Sequence, residues 1–209
     1  MKKYTVIAAV LLLFSCNQSK NDWAKFRGDS QNTGYTESSG PKSSPEIKWE
    51  YRNNWSSSLN PIVADNKVIS SDGDFLYALD IQTGYTEWEY DAGKHIYSSP
   101  AVYDNTVFFG CGDKHLHAID LKKGENIWKF ETKGNIVSCP AEENGVLFFG
   151  GIDSVFYAVD MNTGKEKWTF KTGHMISSSP AVSNGIVVFG SHDSYFYALD
   201  TESGKELWK

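Results

Sequence analysis

The chain has 209 residues, of which 20 are basic and 26 acidic, giving a formal net charge of −6 at pH 7. An acidic surface is a poor match for nucleic acid or for anionic lipid head groups. There is also no basic run, no glycine-rich phosphate loop and no long apolar segment beyond the short run near the N-terminus. We therefore expect an acidic domain with no nucleic-acid partner.

The first residues are typical of an export signal. Lys2 and Lys3 precede an apolar run, Val6 to Phe14, that is too short to cross a bilayer as a stable anchor. The run ends in Leu-Phe-Ser-Cys, which resembles a bacterial lipobox, where the signal is removed before a cysteine that carries lipid. Residues 1–15 are thus predicted to be a lipoprotein signal peptide and Cys16 the lipid attachment site. The alternative is an ordinary signal peptide with an incidental cysteine.

Two consequences follow from this signal. Its removal leaves 18 basic and 26 acidic residues, a net charge near −8. The acyl chains on Cys16 would hold the domain on a membrane surface. We expect a lipid-anchored protein of the cell envelope, on the outer membrane facing the periplasm.

A polar tether is predicted for residues 16–45, which are rich in Ser, Gly, Asn and Lys. One ordered segment interrupts it, running from Asp22 to Gly28 and followed by Asn32-Thr33-Gly34. Its aromatic residues, Trp23 and Phe26, are predicted to pack on the rim of the following domain. A ligand site is the alternative for this segment.

The sequence of residues 46–209 repeats with a period of 40. Each period predicts four short strands; in the last they are Pro180 to Val182, Ile186 to Phe189, Tyr195 to Leu199 and a strand from Glu206. Asn184-Gly185 between the first two is a hairpin turn. Four antiparallel strands in 40–45 residues are typical of a propeller blade. Blades are predicted at about 56–94, 95–134, 135–174 and 175–209.

Four positions carry the repeat, and each has a structural role in stacked sheets. Tryptophan supplies apolar area and an indole N–H, alanine leaves room for the ring, glycine permits a left-handed turn, and aspartate bonds turn amides. The predicted docking residues are Ala78, Asp80, Gly84, Trp88, Ala118, Asp120, Gly124, Trp128, Ala158, Asp160, Gly164, Trp168, Ala198, Asp200, Gly204 and Trp208. We expect no catalytic role for any of them.

The spacing Ala-x-Asp-x-x-x-Gly-x-x-x-Trp resembles the tryptophan-docking motif of the pyrroloquinoline-quinone (PQQ) repeat β-propellers. The segment around Trp23 is similar to the Trp-x-x-Phe-Arg-Gly lead-in found ahead of many of these propellers. The resemblance covers about Ile47 to Lys209. It implies an all-β propeller of four-stranded antiparallel blades and says little about activity.

A fourth-strand sequence, Ile47 to Tyr51, stands ahead of the first repeat, with Trp49 lying 39 residues before Trp88. In closed propellers an N-terminal strand often completes the last blade. Here the fourth repeat supplies its own last strand, so Trp49 is expected to complete a blade absent from this chain. The sequence predicts a partial ring of four blades plus one latch strand from a truncated reading frame; a dimeric or unusually short ring is the alternative.

Two further cysteines lie at blade ends. Cys111 follows a second strand and Cys139 precedes the first strand of the next blade, so both fall on the same face of the propeller. A disulfide between them is possible in an oxidising compartment, provided that their Cα atoms lie within about 7 Å. Two buried thiols are the preferred interpretation.

Histidines offer a weak metal signal. His115 and His117 alternate on one strand, so their rings share a face, and Asp113 is nearby. The sequence supplies no obvious remaining ligand, so we interpret them as packing or surface residues and predict no metal site. Aspartate recurs in this loop at Asp113, Asp153 and Asp193, as expected of a turn residue.

Two classes of function remain. A binding or scaffold module is implied by similarity to the lipoprotein propellers of the outer-membrane β-barrel assembly machinery, which need no cofactor and bind envelope proteins. A quinoprotein dehydrogenase fragment, oxidising alcohols or sugars with PQQ and calcium, is the alternative. The chain has neither the adjacent cysteines nor the Glu, Asn and Asp calcium-ligand motif of those enzymes. We therefore expect a non-catalytic protein without a cofactor.

Overall fold

The computed structural model describes residues 23–34, 44, 46–52 and 59–209. The predicted signal peptide and Cys16 lie outside these residues and stay predictions. Sixteen strands form four antiparallel four-stranded sheets, and the described residues contain no helix. Accordingly, none of these residues belongs to a helix that could span a membrane.

Each sheet is one blade, and its strands are ordered as in the sequence. Blade one contains β1 Ile62–Ala64, β2 Lys67–Asp72, β3 Phe75–Asp80 and β4 Thr86–Asp91. Blade two contains β5 Ala101–Tyr103, β6 Thr106–Gly110, β7 His115–Asp120 and β8 Asn126–Glu131. Blade three contains β9 Ala141–Glu143, β10 Val146–Gly150, β11 Val155–Asp160 and β12 Glu166–Lys171. Blade four contains β13 Ala181–Ser183, β14 Ile186–Gly190, β15 Phe196–Asp200 and β16 Glu206–Trp208. The predicted all-β propeller, an open ring of four blades, is confirmed.

Tight turns join the first and second strands of every blade. In the predicted Asn184-Gly185 turn both residues have positive φ, 54° and 77°, and the same holds for Asp65-Asn66 in blade one. Asparagine, aspartate and glycine tolerate this left-handed backbone, whose twist matches that of the flanking strands. The local sequence therefore sets the hairpin register.

The hydrophobic core lies between successive blades. Second and third strands present apolar side chains on both faces, so blades two and three each pack against a sheet on either side. Phe156 of blade three stacks on Phe189 of blade four with centroids 3.8 Å apart. Phe108 and Phe149, which are fully buried, belong to the cluster between blades two and three. The core is thus a series of interfaces, as expected of repeat proteins.

The lead-in segment runs along the first strands of the blades. Trp23 pairs with Val63 of β1, Val102 of β5 donates its N–H to the Ala24 carbonyl at 2.7 Å, and Val182 of β13 donates to the Ser30 carbonyl at 2.9 Å. The prediction that this segment packs on the rim is corrected. The first strands have an edge that no blade partner covers, and the lead-in satisfies backbone groups there.

Trp49 docks against blade one. The latch strand predicted around it is corrected, because residues 46–52 form no strand. Its indole Nε1 donates to the Ile81 carbonyl at 3.0 Å, and its ring lies against Gly84. Tyr51 extends the cover, with its ring 5.9 Å from that of Tyr77. The docking contact forms without strand pairing because, among the described residues, no third strand lies beside this segment.

Candidate functional site

The docking motif joins each blade to the next. The indole Nε1 of Trp88 donates to the Leu121 carbonyl at 2.8 Å, and that of Trp168 donates to the Thr201 carbonyl at 3.0 Å. Each ring covers the turn glycine of the following blade: a Cβ on Gly164 would lie 2.7 Å from the Trp128 ring. The motif is therefore an interlock between blades.

Alanine and aspartate complete the interlock. Ala158 lies opposite Trp168 in the sheet, and a β-bulge follows at Val159. Asp160 Oδ1 accepts hydrogen bonds from the Thr163 N–H at 2.9 Å and its hydroxyl at 2.8 Å. These bonds, led by the one from the hydroxyl, lower the pKa of Asp160. The equivalent carboxylates close their turns in the same way, with Asp80 Oδ1 bonded to the Thr83 N–H, Asp120 Oδ1 to the Lys123 N–H and Asp200 Oδ1 to the Ser203 N–H.

Blade four presents an uncovered apolar face. Phe196 is 69% exposed and Trp208 is 52% exposed, whereas Phe156, which lies at the same position as Phe196 in blade three, is fully buried. Ile186 lies on the same face. Among the described residues no sheet packs here, so this face can receive another apolar surface.

A second candidate surface is the loop rim, which we define as the loops after the second strands together with the segments that link the blades. Here the ring of His95 lies 4.8 Å from that of Tyr97, and the rings of His174 and His192 are 6.0 Å apart. Tyr97 is 43% exposed and Ile152 40% exposed. Exposed aromatic and apolar groups among polar loops are typical of protein-binding surfaces.

The loop rim of blade two brings Asp113 and His117 together, as the sequence suggested. His117 Nε2 lies 2.9 Å from Asp113 Oδ2, and Nδ1 lies 3.1 Å from the Tyr90 hydroxyl. Burial lowers the pKa of His117 to about 4, and the Asp113 carboxylate only partly opposes this shift. His115 lies beside the pair, with its Nδ1 3.4 Å from Asp113 Oδ2.

Cys111 is the member of this cluster that sequence reasoning missed. Its Sγ lies with Asp113 and His117 in a group whose ligand atoms are all within 4.8 Å of one another. The signal was present in the repeat register, which places position 111 two residues before the loop aspartate. The missing step was that the loop folds back and turns both side chains toward the strand bearing His117.

The two thiols do not form the disulfide that the sequence allowed. Both are free and buried. Cys111 Sγ lies 3.1 Å from the Lys94 carbonyl, whereas Cys139 Sγ faces the carbonyls of Pro100 and Pro140 at 3.9 and 3.8 Å. Each thiol is thus packed against a different segment. Burial raises the pKa of Cys111 to about 12.

A cavity of about 340 Å³ is lined by residues of the lead-in, of the first strands of blades two to four and of the hairpin turn of blade three. Lys25, Asp29, Tyr103 and Glu142 are among its lining residues. Lys25 is buried, and this burial lowers its pKa. Burial likewise raises the pKa of Tyr103, whose ring lies 6.0 Å from the lysine ammonium group. The cavity therefore presents a basic group, Lys25, and two acidic groups, Asp29 and Glu142, to a small polar ligand.

Comparison with known proteins identifies the repeats. The family described as outer membrane protein assembly factor BamB matches residues 30–138 and 112–209. No curated protein matches the chain. The family match spans most of the chain, and it confirms the resemblance to PQQ-repeat propellers.

Solved structures share the fold at low identity. BamB from Moraxella catarrhalis is 22% identical, with a TM-score of 0.68 over 77% of this chain and 54% of that chain. Quinohemoprotein alcohol dehydrogenase from Comamonas testosteroni is 19% identical, with a TM-score of 0.79 over 92% of this chain and 41% of that chain. A europium-containing methanol dehydrogenase is 14% identical, with a TM-score of 0.77 over 91% of this chain and 48% of that chain.

The chain thus spans about half the length of these structures. At such identities the likeness establishes the propeller fold, which binding proteins and enzymes share. The family match over residues 30–209 is more specific, since it includes the lead-in from Ser30 and all four blades. The chain belongs to the family of outer membrane protein assembly factor BamB.

Proposed function

We propose that this chain is a non-catalytic, lipid-anchored scaffold that binds proteins at the bacterial cell envelope and takes part in outer-membrane protein assembly. The family match over residues 30–209 carries the proposal. The lipobox-like tetrad ending in Cys16 supports the anchor. A rigid blade array that presents exposed loops is well suited to holding a partner.

The loop rim is the proposed partner-binding surface. Tyr97 and Ile152 lie on it in neighbouring blades and expose about two-fifths of their surface. Aromatic and apolar anchors of this kind commonly dominate binding energy at interfaces. The opposite rim, formed by the hairpin turns, includes Tyr85, which is 77% exposed. It provides a matched control.

Co-purification from cross-linked envelopes tests this proposal. We expect the full chain to recover an outer-membrane barrel or a factor that assembles it. The double variant Tyr97→Ala/Ile152→Ala is expected to recover at least about tenfold less, the loss associated with roughly 1.4 kcal/mol of binding energy. Tyr85→Ala is expected to recover as much as the wild type. Equal recovery by all three proteins, or loss with Tyr85→Ala alone, would contradict the assignment of the loop rim.

The lipid anchor has its own test. A Cys16→Ser chain should lose the acyl mass that mass spectrometry detects on the wild type and should leave the membrane fraction. An unmodified wild-type cysteine would show that the anchor is wrong while leaving the scaffold proposal standing.

A quinoprotein dehydrogenase fragment is the second candidate. It is compatible with the fold that this chain shares, over 92% of its length, with the alcohol dehydrogenase from Comamonas testosteroni. Mixing the purified chain with PQQ and calcium distinguishes the two candidates. We expect neither bound-quinone absorbance nor dye-linked alcohol oxidation, and a stoichiometric quinone signal would favour the enzyme.

A further inference from the structure

We propose that the loop rim of blade two contains a binding site for a borderline-soft divalent metal ion of the zinc class, formed by Cys111, Asp113 and His117. This inference does not depend on the scaffold function. The potential ligand atoms of the three side chains all lie within 4.8 Å of one another. Thiolate sulfur, imidazole nitrogen and carboxylate oxygen are the ligands that zinc uses in proteins.

Comparison between blades shows that the fold does not require these residue types. In blade three the Tyr157 hydroxyl donates to Asp153 Oδ2 at 2.6 Å, and in blade four the Tyr197 hydroxyl donates to Asp193 Oδ2 at 2.7 Å. The loop aspartate is therefore normally held by a tyrosine. In blade two His117 takes the place of this tyrosine, and its Nε2 takes the place of the hydroxyl at 2.9 Å.

A second substitution in the same blade completes the ligand set. Cys111 lies where blades three and four have Gly151 and Ser191. Ser191 donates its hydroxyl to the His174 carbonyl at 3.1 Å, a role that a serine fills without any thiol. The other blades fold without a histidine or a cysteine at these two positions. In blade two, His117 and Cys111 thus place two potential metal ligands beside the Asp113 carboxylate.

The surroundings of His117 fit a metal ligand. Without the ion, Nε2 carries the proton that is donated to the Asp113 carboxylate. Metal binding removes this proton from Nε2 and Nδ1 takes one up, so Nδ1–H can donate to the Tyr90 hydroxyl, 3.1 Å away, while Nε2 faces the ion. The ring also stacks on Phe109, with centroids 4.8 Å apart. A partner on the second nitrogen fixes the tautomer and orientation of metal-binding histidines. The orientation of the ring is therefore set before the ion arrives.

The charges around the site favour one added cation. Asp113 contributes a carboxylate, and binding releases the Cys111 thiol proton to solvent, so two negative charges face the ion. Lys129 Nζ lies 3.8 Å from Asp113 Oδ2 and is the cation to be displaced; its side chain is partly exposed and can turn toward water. Asp113 is also partly exposed, which gives the ion a path in. Water fills the fourth position, as in sites with three protein ligands.

Cobalt titration of the full chain tests the site, because Co²⁺ occupies zinc sites and reports thiolate ligation by a charge-transfer band. We expect one Co²⁺ per chain, with the band present, and displacement by Zn²⁺. Cys111→Ser is expected to abolish the band, and His117→Tyr to weaken affinity by more than about tenfold. Both variants restore residues that other blades carry, so folding should be preserved.

Cysteines elsewhere provide the controls. Cys139→Ser restores the serine found at positions 99 and 179, and it should keep the band, as should Cys16→Ser. Zn²⁺ should raise the melting temperature of the wild type and of both control variants, and should raise that of His117→Tyr by clearly less at the same concentration. Absence of a band in the wild type, or a band that survives Cys111→Ser and disappears with Cys139→Ser, would overturn the proposal.

Discussion

At the scale of single residues, the fold depends on a tryptophan ring seated on a glycine. Gly164 has a φ of +67°, and a Cβ there would lie 2.7 Å from the Trp128 ring. The position therefore excludes a side chain for two reasons, the left-handed backbone and the ring above it. The same pair recurs at every junction, including that of Trp49 with Gly84.

Substitution of two glycines separates these two reasons. Gly145 has a similar φ of +76°, but nothing lies within 4 Å of a Cβ built on it. We expect Gly145→Ala to cost about 1–2 kcal/mol of unfolding free energy from backbone strain. Gly164→Ala should cost about 1–3 kcal/mol more, because the methyl group must displace the ring. Urea denaturation followed by tryptophan fluorescence measures both; equal losses would show that the ring contact is unimportant.

The residues most visible in the sequence were those that repeat. Trp168 and Gly204 recur at a fixed interval, so the repeat predicted their structural roles, apolar cover for the next sheet and a left-handed turn. That the ring lies on the glycine is seen only in the structure. Lys25 and the lead-in have no copies, and their path along the first strands depends on which backbone edge is left open. Cys111 has copies of its position but not of its chemistry. Its approach to His117 is set by the fold of one loop, which periodicity does not encode.

At the scale of the blade, the fourth strand makes two kinds of contact. It pairs with the third strand of its own sheet, and its tryptophan covers the next sheet. Trp168 does both, since it lies opposite Ala158 and donates to the Thr201 carbonyl of blade four. Trp208 pairs with Ala198 but, among the described residues, meets no further blade. Comparison of Trp168 with Trp208 therefore distinguishes the contribution of pairing within a blade from that of docking between blades.

Truncating each tryptophan measures the docking contribution. Trp168→Ala should lower the free energy of unfolding by about 3 kcal/mol, since a large ring leaves an interface. In the monomer, Trp208→Ala should lower it by less than about 1 kcal/mol, because half of its surface is already in water. Denaturation midpoints of the two variants test this difference. A loss with Trp208→Ala as large as that with Trp168→Ala would mean that the ring acts within its own blade.

At the scale of the whole molecule, the two ends of the blade stack are unlike. The outer face of blade one is covered by Trp49 and Tyr51, whose rings lie on Gly84 and beside Tyr77. The outer face of blade four exposes Phe196 and Trp208. A head-to-tail contact between two copies would have to displace Trp49. A contact between two blade-four faces needs no such displacement and forms a closed, two-fold dimer.

We therefore expect the isolated chain to self-associate through blade four. Phe196→Lys places a charge at the centre of the apolar face and should shift the chain to monomer, because burying an unpaired ammonium group opposes association. Tyr85→Lys makes the same kind of change on the rim formed by the hairpin turns, away from the blade-four face. Tyr85 is 77% exposed and Phe196 69%, so the two sites are comparable, and Tyr85→Lys should leave association unchanged. Sedimentation velocity over a range of concentrations distinguishes these outcomes. A wild-type chain that stays monomeric throughout, or a Phe196→Lys chain that associates as strongly as the wild type, would show that this face does not drive association.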